Sequence, residues 1–149
     1  TQANAITIIA VMKSVTSGMD LMHLRAASQL YVTHGEGTAG KFGAYTDNRT
    51  ANGWHSGGTT ITNTWVIAAA VLSTTTLDLY INGTADRAQV SQSGSMADTN
   101  ILTLGARNDG VYSNWITGDI AEFLVYNSAL SLQNLASLHT YLNTRWAIY

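Results

Sequence analysis

The sequence predicts an all-β fold of antiparallel sheets, a sandwich or a barrel, followed by one C-terminal helix. Three observations predict it: short apolar runs rich in β-branched residues, turn signals between these runs, and a helical repeat of leucines near the end. The length of 149 residues is typical of a single domain.

The strands are predicted in chain order from apolar periodicity. Ile6–Met12 and Trp65–Leu72 are continuous apolar runs, typical of strands buried on both faces. Leu77–Ile81 alternates and leads into an Asn-Gly hairpin signal, which predicts a partner strand over Ala85–Val90. Further strands are predicted at Leu21–Arg25, Leu30–Thr33, Lys41–Thr46, Ile101–Leu104 and Asp119–Tyr126. Polar loops are predicted at His34–Gly40, Asp47–Asn63, Ser91–Asn100 and Arg107–Thr117.

The helix is predicted to begin after Ser131, because serine is a favourable N-cap and Leu130 and Leu135 occupy the two positions of a hydrophobic staple. Its apolar face repeats at spacings of three and four residues, through Leu132, Leu135, Leu138, Leu142 and Trp146. Trp146, and Trp65 in its strand, are therefore expected in the core.

Composition excludes several classes of function. Seven Lys+Arg, a net charge of −2 and 11% charged residues argue against a nucleic-acid partner, which needs a basic patch. No apolar run is long enough for a membrane-spanning helix, so membrane insertion is not expected. The absence of cysteine excludes disulfides and thiolate metal sites.

Two stretches of the chain resemble a known family. Leu77–Gly83 contains Y-x-N-G after a tryptophan-led strand, and Ile101–Ala106 contains L-x-L-G. Gly118–Ser131 reads G-x-I-A-E-x-x-x-Y-N-x-x-L-S, and a helix ending in Tyr141-Leu142 and Trp146 follows. Residues 64–149 are similar to the laminin-G-like branch of the concanavalin A-like lectin/glucanase superfamily, and residues 1–63 match it only loosely. The resemblance implies a jelly-roll β-sandwich of two curved antiparallel sheets with a concave face.

The resemblance also bears on domain organisation. Such domains usually begin with strand material before the segment that corresponds to Ile6–Met12. The chain is therefore expected to be a single domain, residues 1–149, forming the C-terminal part of a longer chain. An upstream segment or a neighbouring subunit, as in a homo-oligomer, is expected to cover the N-terminal edge of the sheet.

Catalytic motifs are incomplete in this sequence. Gly35–Lys41 satisfies G-x-G-x-x-G, but the following Phe42–Thr46 is predicted to be a strand rather than the helix that a phosphate site needs. Glycosidases need two carboxyl groups across the scissile bond, and relatives on this fold carry E-x-D-x-x-E on one strand. Here Glu36 lies in a loop, and Glu122 is expected to be a structural carboxylate. The sequence thus predicts a protein that is not an enzyme.

Calcium is a candidate cofactor, because members of the superfamily often carry one or two such ions. A hard cation prefers oxygen ligands, which Asp109 and Asp119 could supply. Asp-Gly at 109–110 is equally typical of an ordinary turn.

Aromatic residues in polar segments are the candidate binding residues. Sugars stack their apolar face on an aromatic ring while amides and carboxylates bind the hydroxyl groups. Residues of both kinds in the polar loops and beside them are Trp54, Trp115, Tyr112, Tyr45, Asn52 and Asn114. Trp54 and Trp115 are expected to be partly exposed. The alternative is that these rings only cover the core of the sandwich.

The predicted function is a non-catalytic carbohydrate-binding or adhesion module, extracellular, secreted or on a particle surface. The alternative is a structural surface protein, a virion decoration or appendage or an extracellular filament subunit, whose partner is another protein chain rather than a glycan. Both follow from the resemblance to the family rather than from a motif for chemistry.

Overall fold

The computed structural model of the chain describes residues 5–25, 30–47, 53–92 and 101–149. Within them lie twelve strands and one helix. The strands are β1 (Ile6–Ser14), β2 (Met19–Arg25), β3 (Leu30–His34), β4 (Lys41–Thr46), β5 (Gly53–Thr60), β6 (Val66–Leu72), β7 (Thr76–Ile81), β8 (Thr84–Ser91), β9 (Ile101–Leu104), β10 (Arg107–Asn108), β11 (Tyr112–Ser113) and β12 (Gly118–Tyr126). The helix is α1 (Leu132–Trp146).

Ten of the strands form two antiparallel sheets of five. Sheet I has the order β12-β1-β6-β7-β8, and sheet II has the order β5-β4-β3-β2-β9. The short strands β10 and β11 pair with each other in a separate hairpin. This is the all-β jelly-roll sandwich with a C-terminal helix that the sequence predicts.

Alternate residues of sheet I face two different cores. Ile8, Ala10 and Met12 of β1 pack between the sheets, against residues of sheet II such as Val32 and Phe42. Ile9 and Val11 face the other way, as do their neighbours on β6, and α1 covers them through Leu135 and Leu142. Burial on both faces is the reason that these strands are continuous apolar runs.

Strand β1 lies inside its sheet and not at an edge. It pairs with β12 on one side and with β6 on the other, over Thr7–Ser14 and Ile6–Met12 respectively. Strand β1 is therefore not an open edge; the outer strands of its sheet are β12 and β8, and coverage of an edge by an upstream segment or a neighbouring subunit stays a prediction. The backbone groups of β1 are already paired within the sandwich.

Two segments predicted to be loops contain strands. Most of the predicted loop at residues 47–63 is the edge strand β5, whose sequence GWHSGGTT lacks an apolar alternation because its buried residue is His55 and glycine, serine and threonine fill most of its other positions. The predicted loop at residues 107–117 contains the hairpin of β10 and β11. Both segments are paired polar strands, which apolar periodicity does not detect.

Two tryptophans predicted to be in the core are at the surface. Trp65 is 37% exposed and Trp146 is 37% exposed. Trp65 precedes β6, and Trp146 is the last residue of α1, so each lies where its element ends. Together with Val11 and Ile148 they line a cavity of about 330 Å³. Leu132, predicted on the apolar helix face, is exposed because it lies in the first turn.

The ends of α1 follow its capping signals. The side chain of Ser131 accepts a hydrogen bond from the backbone N–H of Asn134, as predicted for an N-cap. At the other end Ala147 adopts the left-handed conformation and its N–H donates to the carbonyl of Asn143. The helix lies on the outer face of sheet I, so the outer face of sheet II is left to other elements.

Burial of His139 on α1 predicts a loss of stability in acid. Neither ring nitrogen has a hydrogen-bond partner among the described residues, and burial lowers the pKa of this side chain. As pH falls below about 6.5 the unfolded chain binds a proton that the folded state resists, so the free energy of unfolding decreases. We expect His139→Leu to stabilise the protein by about 1 kcal/mol at pH 7, and by more at pH 5. Chemical denaturation at both pH values measures this; an equal effect at the two would contradict it.

Candidate functional site

An aromatic row crosses the outer face of sheet II. Strand register places Trp54 opposite Tyr45, Tyr45 opposite Tyr31, and Tyr31 opposite His23. The ring centroids are 4.8 Å apart for Trp54 and Tyr45, 5.4 Å for Tyr45 and Tyr31, and 4.1 Å for Tyr31 and His23. Four neighbouring strands thus each supply one ring to a continuous surface, which we call the aromatic row.

The aromatic row is covered at one end and open at the other. His23 is fully buried and Tyr31 is 6% exposed, whereas Tyr45 is half-buried and Trp54 is 38% exposed. Trp54 is on the edge strand β5, so its ring borders solvent. A ligand can therefore reach the row at Trp54 and Tyr45.

The hairpin of β10 and β11 covers the closed end through Arg107. The guanidinium carbon lies 4.6 Å from the ring centroid of Tyr31 and 5.7 Å from that of Trp54. Nε donates to Oδ2 of Asp20 at 2.8 Å, and Nη2 donates to Oε2 of Glu36 at 3.0 Å. Arg107 is thus stacked on the aromatic row while it bridges two carboxylates from other segments.

Further hydrogen bonds hold the same hairpin in place. Nδ2 of Asn114 donates to Oε1 of Glu36 at 2.7 Å, and the carbonyl of Asn114 accepts from the N–H of Asp20 at 3.0 Å. The hydroxyl of Tyr31 donates to Oδ1 of Asp109 at 3.1 Å. Carboxylates and amides therefore surround the row at its covered end.

Burial and charge shift the pKa values of this cluster. Burial raises the pKa of Asp20 to about 6, although the neighbouring Arg107 acts to lower it. Burial and the hydrogen bond to Asp109 raise the pKa of the Tyr31 hydroxyl. Desolvation opposes the charge of Arg107, yet Asp20 and Glu36 raise its pKa overall. The cluster therefore combines one guanidinium with the carboxyl groups of Asp20, Glu36 and Asp109.

A second pair of rings lies at the exposed tip of the hairpin and just after it. The rings of Tyr112 and Trp115 are 5.6 Å apart, and their side chains are 56% and 61% exposed. Asn114 lies between them in the chain and joins them to the Glu36 cluster. The expectation that Trp54 and Trp115 are partly exposed is confirmed.

The structure brings most of the predicted binding residues to one face. Tyr45 and Trp54 form the open end of the row, and Asn114, Tyr112 and Trp115 are on or next to the adjoining hairpin. Asn52 lies outside the described residues. The alternative is that these rings only cover the core. In the structure the hairpin of β10 and β11 covers Tyr31 and His23. Binding by these residues stays a prediction.

Sequence reasoning missed the residues under the hairpin. Asp20 is 87 positions from its partner Arg107, and Tyr31 is 78 positions from its partner Asp109. The alternation of polar residues with Met22 and Leu24 on β2 is a signal that His23 faces away from the core. Which partner it meets depends on strand register, and no local pattern contains that information.

The two aspartates predicted as calcium ligands lie in separate surroundings. Asp109 accepts from Tyr31 beside sheet II, whereas Asp119 is on β12 of sheet I, opposite Lys13. In the part of the chain that the structure describes, no three His, Asp or Glu side chains are grouped as a metal ion would need. Calcium binding stays a prediction, and it would have to use one aspartate without the other.

Glu122 has a structural role, as its sequence context suggests. Its Oε2 accepts from the indole N–H of Trp146 at 2.7 Å and lies 3.4 Å from Nε of Arg145. Glu36 is bound to Arg107 and Asn114. Of the two aspartates in the cluster, Asp20 is fully buried and Asp109 is 45% exposed.

Comparison with known families agrees with the fold. A family model of laminin G type, in the concanavalin A-like lectin/glucanases superfamily, matches residues 1–136. The chain belongs to this family. Among curated proteins, none matches the sequence.

Solved structures with the same fold are distant in sequence. One is the CBM40 domain of the Ruminococcus gnavus IT-sialidase bound to α2,3-sialyllactose, with a TM-score of 0.70 and 14% identity, covering 93% of this chain and 84% of that one. Another is domain 4 of the Geobacillus stearothermophilus extracellular arabinanase AbnA in complex with arabinotriose, with a TM-score of 0.66, 16% identity and coverages of 93% and 68%. The heptameric SAP-like pentraxin of Limulus polyphemus has a TM-score of 0.62, 16% identity and coverages of 91% and 70%. At these identities the similarity shows the fold.

The buried Asp20–Arg107 pair predicts a pH-dependent effect of removing the arginine. Arg107→Gln leaves the Asp20 carboxylate buried without its cation, so we expect a loss of about 2–4 kcal/mol in unfolding free energy at pH 8. The pKa of Asp20 is higher in the folded than in the unfolded state, so the unfolding free energy falls as pH rises through that range. In the parent protein the range runs from about pH 4 to 6, and in the variant it extends to higher pH.

The loss in Arg107→Gln should therefore be smaller at pH 5 than at pH 8, as thermal or urea unfolding would measure. The double variant Arg107→Gln/Asp20→Asn should recover much of the loss at pH 8. If the double variant were no more stable than Arg107→Gln at that pH, the pair would not be the source of the effect.

Proposed function

We propose that the protein is a non-catalytic carbohydrate-binding or adhesion module whose binding site is the open end of the aromatic row. The observation that supports it most is the exposure of Trp54 beside Tyr45 at the edge of sheet II, with carboxylate and amide groups within the same cluster. Carbohydrate recognition needs this combination of an aromatic face and polar groups.

The geometry suits a sugar ring in a particular way. The exposed face of Trp54 can receive the C–H face of a pyranose or furanose, and the tilted ring of Tyr45, at 55° to it, borders the same space. The cluster around Arg107 and Glu36 lies next to Trp54 and can bind hydroxyl groups at the edge of the sugar. Tyr112 and Trp115 on the hairpin extend the aromatic surface for a second residue of an oligosaccharide.

Structural neighbours support glycan binding rather than catalysis. Two of them are a sialidase CBM40 domain bound to sialyllactose and an arabinanase domain in complex with arabinotriose. In this chain both glutamates are bound to other side chains, Glu36 to Arg107 and Asn114 and Glu122 to Trp146. Incubation with polysaccharides should therefore release no reducing sugar.

We place this module outside the cell, either secreted or on the surface of a particle. The arabinanase with a similar domain is extracellular, and the described residues include no helix with the length and apolarity to cross a membrane. Adhesion would follow from display of the site on such a surface. A homo-oligomer or a protein partner, as for a structural surface protein, stays an alternative that particle mass by sedimentation would reveal.

Replacing Trp54 tests the site directly. We expect Trp54→Ala to weaken glycan binding about ten- to a hundredfold, because the stacking ring at the centre of such a contact contributes most of its affinity. Isothermal titration with the glycan selected on an array measures the change. Trp65→Ala is the matched control, since Trp65 is as exposed as Trp54 but lies on the other side of the sandwich.

The control should bind as the parent protein does, provided that its circular dichroism shows a folded domain. Normal binding by Trp54→Ala, or a loss in Trp65→Ala alone, would place the site elsewhere. Trp115→Ala, measured in the same way, shows whether the hairpin contributes a second stacking position.

A further inference from the structure

The charges beside the aromatic row indicate which sugars it selects. We infer that the site takes uncharged glycans and discriminates against sugars that carry a carboxylate or sulfate, because its arginine is already bound to acidic side chains of the protein. This inference rests on the proposed glycan-binding function and specifies its substrate class.

Among the described residues, Arg107 is the cation that contacts the aromatic row, and two of its three guanidinium nitrogens are bound to carboxylates of the protein. Nε donates to Asp20 at 2.8 Å, and Nη2 donates to Glu36 at 3.0 Å and is 3.5 Å from the second oxygen of Asp20. Oδ2 of Asp109 lies 3.9 Å from the same Nε. An anionic sugar that approached the remaining nitrogen, Nη1, would come close to the carboxyl groups of Asp20, Glu36 and Asp109 with one guanidinium between them.

The other basic side chains around this face are also engaged. Lys41 donates to the carbonyl of Gly58 and, at 2.9 Å, to the hydroxyl of Thr60. Arg87 donates to the carbonyl of Ser56 at 3.0 Å. Within the residues that the structure describes, these contacts hold both cations toward the far part of β5 and away from Tyr45. Among the described residues, the charged groups next to Trp54 are therefore those of the cluster around Arg107.

An uncharged sugar meets no such penalty. Stacking on Trp54 and Tyr45 needs only an apolar ring face, and ionised carboxylates are strong acceptors for hydroxyl groups. Glu36 and Asp109 are the members of the cluster that a sugar can reach, because their side chains are 17% and 45% exposed whereas that of Asp20 is fully buried. The same carboxylates that repel an anion can thus bind the hydroxyl edge of a neutral glycan.

The uncharged ligand inferred for this chain differs from the ligand in the R. gnavus structure. That structure holds α2,3-sialyllactose, which carries a carboxylate, yet it shares 14% identity with this chain. The fold is common to both, whereas the charge at the site depends on individual side chains. Similarity of fold therefore does not transfer the acidic ligand.

The test is a glycan array on which each neutral glycan stands beside a counterpart bearing sialic or uronic acid, for example lactose beside sialyllactose. We expect the neutral member of each bound pair to bind about tenfold more tightly at low salt, and the ratio to narrow at about 0.5 M salt as charge is screened. Glu36→Gln should narrow the ratio severalfold at low salt. Glu122→Gln, the same change at the chain's other glutamate, should leave it unchanged.

The outcomes separate the two proposals. Equal or tighter binding of acidic members, or a ratio that Glu36→Gln leaves as it is in the parent protein, would overturn the preference for uncharged sugars and leave glycan binding intact. If the folded protein bound no glycan of either kind on the array, the proposed function itself would fail. Tighter binding of neutral members that depends on Glu36 supports both.

Discussion

The ion pairs of Arg107 are the interaction on which the candidate site depends. One guanidinium joins the fully buried Asp20 of β2, Glu36 of the loop after β3, and the rings of Tyr31 and Trp54. A buried carboxylate without a cation is strongly destabilising, so the hairpin that carries Arg107 is held on sheet II. The position of the hairpin in turn decides which rings are covered and which remain open.

The two outer faces of the sandwich are covered by different elements, and this difference positions the candidate site. Sheet I is covered by α1, which buries Ile9, Ile67 and their neighbours in a second apolar core. Sheet II carries aromatic and polar side chains on its outer face, and among the described residues the hairpin of β10 and β11 covers part of them. Because β5 is an edge strand, the row ends at a ring that solvent can reach. A recognition surface on strands is thus combined with polar groups supplied by loops.

The sequence could predict the parts of the fold that depend on local patterns. Continuous apolar runs identified β1 and β6, and the Asn-Gly signal identified the hairpin of β7 and β8. Strand β5 was not predictable in this way, because its glycines and polar residues lack an apolar alternation. The prediction that Trp65 and Trp146 lie in the core was wrong for the opposite reason. Both belong to apolar patterns in the sequence, but they lie at the ends of their elements and are partly exposed.

The candidate site shows the same division. The polar surroundings of Trp54 and Trp115 in the sequence were enough to predict that both rings are exposed. The aromatic row was not predictable, because it requires the register of four strands, and a shift of one residue would turn a ring into the core. The pairing of Asp20 with Arg107, 87 positions away, depends on the complete topology.

The central claim is that glycans bind at the open end of the aromatic row. The most direct measurement is the shift of the four tryptophan indole N–H signals in NMR spectra of nitrogen-15-labelled protein during titration with a neutral glycan selected on the array. The account predicts that the Trp54 signal shifts with glycan concentration while those of Trp65 and Trp146 remain in place. A titration that moved Trp65 and Trp146 and left Trp54 unchanged would contradict it, and would move the site to the cavity beside α1.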